Sequence, residues 1–202
     1  MGRTAALPAF LSMANELKIN LGSGQNPLPG YVNVDKFGTP NVLWDLEQFP
    51  WPWDTSSVDE IRLFHVLEHL GETRDCFMRI VQELYRVSKP AAKIHITVPH
   101  PYHPDFFTDP THVRPIMEAT FMLFSKAHNR MCVEQKAPDS PLGLYYDVDF
   151  ETVSCEKGVD PRTTEWVMHQ GWPGEKTKNF LARHIGFIKE LKIILRVIKE
   201  VE

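Results

Sequence analysis

The stretch Lys18-Ile19-Asn20-Leu21-Gly22-Ser23-Gly24 runs a short apolar strand into a glycine loop, and Tyr31-Val32-Asn33-Val34-Asp35 follows as a second strand with an acidic tip. Glycine lets a backbone turn sharply and pass close to a ligand, and a carboxylate at the end of the next strand can accept hydrogen bonds from both hydroxyls of a ribose. This pairing constrains the chain to an α/β fold that opens with a nucleoside pocket. A dinucleotide site also needs a helix directly after the glycines, because the free N–H groups of its first turn hold the pyrophosphate. Here Gln25 to Gly30 carries Pro27 and Pro29, which break a helix, and no third glycine falls at the fingerprint spacing. The loop therefore fits a ligand with adenine and ribose but no phosphate. S-adenosylmethionine is such a ligand.

At 202 residues the chain suits one domain with a real core. Its formal net charge of -4 provides no general attraction to nucleic acid or to an anionic membrane. No run approaches the roughly 20 apolar residues of a membrane span. Cys76, Cys132 and Cys155 are scattered and odd in number, which points to a reducing, cytoplasmic compartment rather than to a disulfide framework or a zinc site. Residues 1–17 read as a lead-in, with a signal peptide as the poorer alternative because Pro8 interrupts the segment. Residues 18–202 read as a single domain.

Apolar runs at Lys18 to Leu21, Tyr31 to Val34, Val42 to Leu46, Val58 to Val66 and Lys93 to Val98 predict a parallel sheet whose strands are buried on both faces. Thr73 to Ser88 predicts the crossover helix between the last two, with Phe77, Ile80, Val81, Leu84 and Val87 on one stripe. Pro99 to Pro115 reads as a loop at the mouth of the site, Ile116 to Lys126 as helical and Tyr146 to Glu156 as a strand. Asp160 to Gly174 fits no pattern, and Phe187 to Ile198 fits a helix stripe or a closing strand.

Asn20 to Gly24, Val34-Asp35, Trp44-Asp45-Leu46, Phe64-His65-Val66-Leu67-Glu68-His69-Leu70, Glu83 to Val87 and Ile94 to Pro99, in that order and spacing, resemble the class I S-adenosylmethionine-dependent methyltransferases, the type 11 group in particular. The resemblance covers about residues 18 to 99. It implies a Rossmann-like three-layer α/β/α sandwich, mostly parallel with an antiparallel last strand, and S-adenosyl-L-methionine as cofactor. On matching positions it implies that Leu21, Gly22, Ser23 and Gly24 pass under the methionine part, that Asn20 stands where the cofactor's amino group is contacted, and that Asp35 takes the ribose hydroxyls with Lys36 beside the adenine. Asp45 would face the adenine amino group with Leu46 against the ring, and Phe64 and His65 would stand near the sulfonium. The chain departs from the family at Asn20, where an acidic residue is common, at Ala91-Ala92, where glycines are usual, and in its missing first crossover helix. That last departure leaves one side of the sheet thinly covered, which is compatible with a homodimer.

Methyl transfer needs alignment of nucleophile, methyl and leaving sulfur, plus removal of a proton. The best supply of bases is His100, His103 and His112, in the proline-rich loop that opens the substrate-side region, residues 99–143. The same loop matches no metal-ligand spacing, so no metal is expected, and Asp109 and His112 can equally cap a turn. Glu68 and His69 read as loop-fixing residues, and Trp51 and Trp53 as a plug for the sheet rather than a substrate wall. The expected function is methylation of an oxygen or nitrogen of a small molecule or glycan. The alternative is a non-catalytic binding or regulatory protein of the same fold, with a dehydrogenase behind both.

Overall fold

The structure, a computed structural model, describes residues 16–200. Seven strands form one sheet: β1 (Lys18–Leu21), β2 (Val32–Asp35), β3 (Val42–Leu43), β4 (Val58–Phe64), β5 (Ser88–Pro99), β6 (Phe150–Val159) and β7 (Ile188–Val197). Their order is β3-β2-β1-β4-β5-β7-β6. The first five are mutually parallel, and β7 runs antiparallel between β5 and β6. The ambiguous segment near the C-terminus is therefore a strand; its branched residues outweigh the helical stripe because β5 and β6 leave a gap that only a strand can fill. The lead-in segment lies almost wholly outside the described residues. No described helix is long and apolar enough to cross a membrane.

Helix α1 (Arg74–Val87) joins β4 to β5, capped by Thr73, whose hydroxyl accepts from the Cys76 N–H at 3.2 Å. Its buried stripe of Phe77, Ile80, Val81, Leu84 and Val87 shares one core with Ile19, Leu21, Ile61, Leu63, Ile94, Ile96, Ile193 and Leu195. The strand register places those sheet residues on one face. The opposite face carries Lys18, Asn20, Asn33, Glu60, Arg62, Phe64, Lys93, His95, Thr97, Lys192 and Arg196. Arg62, Lys93, Lys192 and Arg196 are exposed there. The expectation of strands buried on both faces thus fails beyond β1 and β2: among the described residues no helix connects β1 to β2, β2 to β3 or β3 to β4. Polar alternation on β4, β5 and β7 suits that solvated face.

Trp51 and Trp53 are buried and pack edge to face, with ring centroids 6.4 Å apart. The Trp51 N–H donates to Glu83 Oε2 at 2.6 Å, and Arg86 donates to both tryptophan carbonyls and to Glu83. These backbone groups of Trp51 and Trp53 tie the β3–β4 connection to α1.

The second half differs in detail from its expected elements. Ile116 to Lys126 holds a 3-10 turn at Thr120–Phe124, and the helix begins only at Ser125, which caps α3 (Lys126–Gln135). Short helices α2 (Pro104–Thr108) and α4 (Leu142–Tyr145) flank this region. The β6–β7 connection forms α5 (Pro161–Gln170) and α6 (Gly174–Arg183). Trp166, Trp172, Phe180 and His184 pack together between them.

Candidate functional site

The glycine loop leaves β1 at Gly22, whose φ of +66° belongs to the left-handed region. A Cβ built there would lie 2.4 Å from Val66 Cγ2, so this position needs glycine for its conformation and for its approach to the β4 exit. The Ser23 N–H donates to the Val34 carbonyl at 3.0 Å, which binds the loop to β2. At the tip of β2, Asp35 Oδ2 accepts from the Gly24 N–H at 2.8 Å and Oδ1 from the Phe37 N–H at 2.9 Å. Each oxygen keeps a further lone pair. Asp45, just beyond β3, accepts from the Glu47 N–H at 3.0 Å and closes its own turn.

These strand ends surround a cleft of about 230 Å³ lined by Gly22, Asp35, Lys36, Trp44, Asp45, Leu46, Glu47, His65, Val66, His69 and Leu70. Its charged walls are mostly acidic. Of the residues that the resemblance singled out, Gly22, Asp35, Lys36, Asp45, Leu46 and His65 meet here. Asn20, Leu21, Ser23, Gly24 and Phe64 do not line it. Leu21 belongs to the core, Ser23 is buried and Gly24 holds Asp35 from outside. Asn20 donates to Asn33 Oδ1 at 2.9 Å, so its side chain belongs to a buried amide pair under the loop. Phe64 points to the polar face of the sheet and is 58% exposed, because residues alternate along β4 and Leu63 takes the core.

His65 has a φ of +53°, uncommon for a side-chain-bearing residue. Its Nδ1 lies 3.2 Å from Glu68 Oε1 and its Nε2 3.5 Å from Glu190 Oε2. The hydrogen bond to Glu68 raises its pKa against the opposing effect of burial, and the Glu68 and Glu190 charges add to the rise. The cleft therefore holds a fixed imidazole between two carboxylates at the end of β4.

The three loop histidines do not converge. His103 is 1% exposed; its Nδ1 accepts from the Asp105 N–H at 3.2 Å as the cap of α2, and its Nε2 lies 3.4 Å from Asp160. Both nitrogens are engaged in folding the loop, so His103 is not available as a base. His100 accepts the Tyr102 N–H on Nδ1 at 3.2 Å, which leaves its proton on Nε2; burial, with Lys157 adding to it, lowers its pKa. It lines a second, larger cleft of about 610 Å³ over the ends of β5, β6 and β7, with Tyr102, Lys157, Lys178, Arg183 and His184 among its walls. His112 packs against His69, with ring centroids 4.6 Å apart. No local pattern marks the larger cleft, because its walls come from segments far apart in the chain.

No family model matches the chain, and no curated protein matches it. Solved structures share its architecture. A SAM dependent methyltransferase from Archaeoglobus fulgidus is 19% identical, over 90% of this chain and 86% of that one, with a TM-score of 0.54. The YcgJ protein from Bacillus subtilis is 15% identical, over 94% and 95%, with a TM-score of 0.50. The 1,6-didemethyltoxoflavin-N1-methyltransferase of Burkholderia thailandensis, with bound 1,6-didemethyltoxoflavin and S-adenosylhomocysteine, is 10% identical over 91% and 71%, with a TM-score of 0.50. At such identities the likeness is one of fold, and it extends beyond residues 18 to 99 to the whole sheet. The chain has the class I S-adenosylmethionine-dependent methyltransferase fold.

Proposed function

We propose that the chain is an S-adenosylmethionine-dependent methyltransferase acting on an oxygen or nitrogen of a small molecule or glycan. The observation that carries this reading is the placement of Asp35: two backbone N–H groups aim its carboxylate, which keeps lone pairs for two ribose hydroxyls at the cleft formed by Gly22, Asp45 and Leu46. The residues present fit the cofactor. Asp35, Asp45 and Glu47 outnumber Lys36 on the cleft walls and favour a cationic ligand, and Leu46 offers an apolar surface to a base. The cleft is smaller than the roughly 300–1,000 Å³ of sites that enclose drug-sized ligands, so it takes the nucleoside, and the remainder of the cofactor runs past His65 at its wall. The Burkholderia neighbour, which holds S-adenosylhomocysteine, supports the same reading.

When bound, the cofactor supplies a methyl group on a sulfonium. The chain's part is to orient it and to bring an acceptor within reach. We assign the acceptor to the larger cleft, where Lys157, Lys178 and Arg183 favour an anionic group and His100 presents an Nε2–H donor. Cytoplasmic residence follows in this reading from three free thiols, Cys76, Cys132 and Cys155.

Calorimetric titration with S-adenosylmethionine, S-adenosylhomocysteine and NAD tests the cofactor assignment. Micromolar binding of the first two alone is expected; NAD binding, or none at all, would overturn it. A second reading, a non-catalytic binding protein of this fold, is favoured by Asn20, which is committed to Asn33. Cofactor binding without turnover across an acceptor panel that includes acidic sugars selects that reading.

A further inference from the structure

Glu68 lies in the 3-10 turn Leu67–His69 that follows β4 and is 1% exposed. Its Oε1 is held by His65, and its Oε2 is buried with no hydrogen-bond partner. A buried carboxylate oxygen without a donor is costly, so this atom calls for a ligand. Two imidazoles stand beside it: one donor atom from each of Glu68, His69 and His112 lies within 4.8 Å of the other two.

Hydrogen bonding settles which nitrogen each histidine offers. His112 Nδ1 lies 2.8 Å from the Phe106 carbonyl, which can only accept, so Nδ1 carries the proton and Nε2 a lone pair. His69 Nδ1 lies 2.8 Å from Thr111 Oγ1, whose own proton goes to Asp109 Oδ1 at 2.7 Å. Thr111 must then accept from His69, and again Nε2 is left with its lone pair. Nδ1–H···O links of this kind are what orient metal-bound histidines.

We propose that Glu68, His69 and His112 bind a divalent first-row transition-metal ion such as zinc. Two neutral imidazoles and one carboxylate are a borderline donor set that suits zinc and its neighbours, whereas magnesium and calcium favour all-oxygen sites. Three protein ligands leave coordination positions for an outside group. Glu68 and His69 come from the β4 exit, and the Val113 and Arg114 N–H groups both donate to the Glu68 carbonyl, which pins the loop that carries His112. His69 also lines the nucleoside cleft. The site itself does not depend on the methyltransferase reading.

The test uses the full chain after chelator treatment, titrated with zinc by calorimetry and with cobalt by absorption spectroscopy. One ion per chain is expected, with affinity falling by about 100-fold or more in His69→Ala and in His112→Ala, beyond the loss typical of an outer-shell partner. Glu68→Gln should behave likewise, with thermal melting to establish that each variant is folded. A rival set, His128, Cys132 and Asp139, is present on and after α3. Thiolate charge-transfer absorption with cobalt, or loss of binding in Cys132→Ser alone, would overturn the proposal, as would an absence of binding or unchanged affinity in both histidine variants. S-adenosylmethionine titration of the unaltered chain separates the two readings: zinc bound without cofactor leaves the metal site standing and removes the methyltransferase assignment.

Discussion

Asp35 and Gly22 show how single residues shape the cleft. Asp35→Ala removes an acceptor that the Gly24 and Phe37 amides hold in place, and it should weaken S-adenosylmethionine binding by about 1–3 kcal/mol, the scale for stranding polar groups. Calorimetry on that variant checks it; unchanged affinity would move the ribose elsewhere. At Gly22 the obstacle to a side chain is Val66, 2.4 Å from a built Cβ, together with the left-handed backbone. Gly22→Ala should lower stability by roughly 1–3 kcal/mol through strain and overpacking. Adding Val66→Ala should restore the part due to contact and leave the part due to φ, so denaturant titration of the single and double variants divides the two causes. His103 illustrates the limit of residue type as a guide. Histidine in a polar loop suggests a base, yet burial and two engaged nitrogens make this one a structural tie.

Helix α1 is the element on which the first half of the chain converges. Its apolar stripe was evident from spacing alone, and its observed range Arg74–Val87 lies within the expected one. What spacing could not show is the buried side of its polar residues. Burial by itself would raise the pKa of Glu83, but the Arg86 guanidinium and the Trp51 N–H hold the carboxyl below its ordinary value. A carboxyl lowered on folding adds stability that is fully present above its unfolded pKa of about 4.3 and is lost as pH falls through the folded value. Glu83→Gln should therefore be less stable than the native chain by about 1–3 kcal/mol at pH 7. The gap should narrow below about pH 4. Urea unfolding at both pH values measures it, and a constant gap would mean that the charge contributes nothing.

Across the whole molecule the sheet is covered unequally. One face is a continuous apolar core, while the other carries pairs such as Lys18–Glu60 and Arg196–Glu151, surface contacts that each contribute little. Stability then depends on the single core and on closure of the sheet by β7. In the described structure β6 pairs only with β7, and Leu191, Ile193, Leu195 and Val197 all belong to the core. A chain ending at residue 187 should lose cooperative unfolding, because β5 and β6 would face an empty strand position. Circular dichroism melting checks this, and a sharp transition in the shortened chain would show that the parallel half folds alone.

Local order was readable from the sequence wherever it rests on short-range physics: the glycine loop, the acidic strand tips, the helix stripe and the prolines that replace a first helix. These depend on neighbours within a few residues. The choice of strand over helix for Ile188–Val197, the solvated sheet face, the larger cleft and the meeting of Glu68 and His69 with His112 were decided only by tertiary structure. Each joins segments distant in the chain, and no local propensity encodes which distant segment arrives to fill a gap, bury a carboxylate or complete a set of ligands.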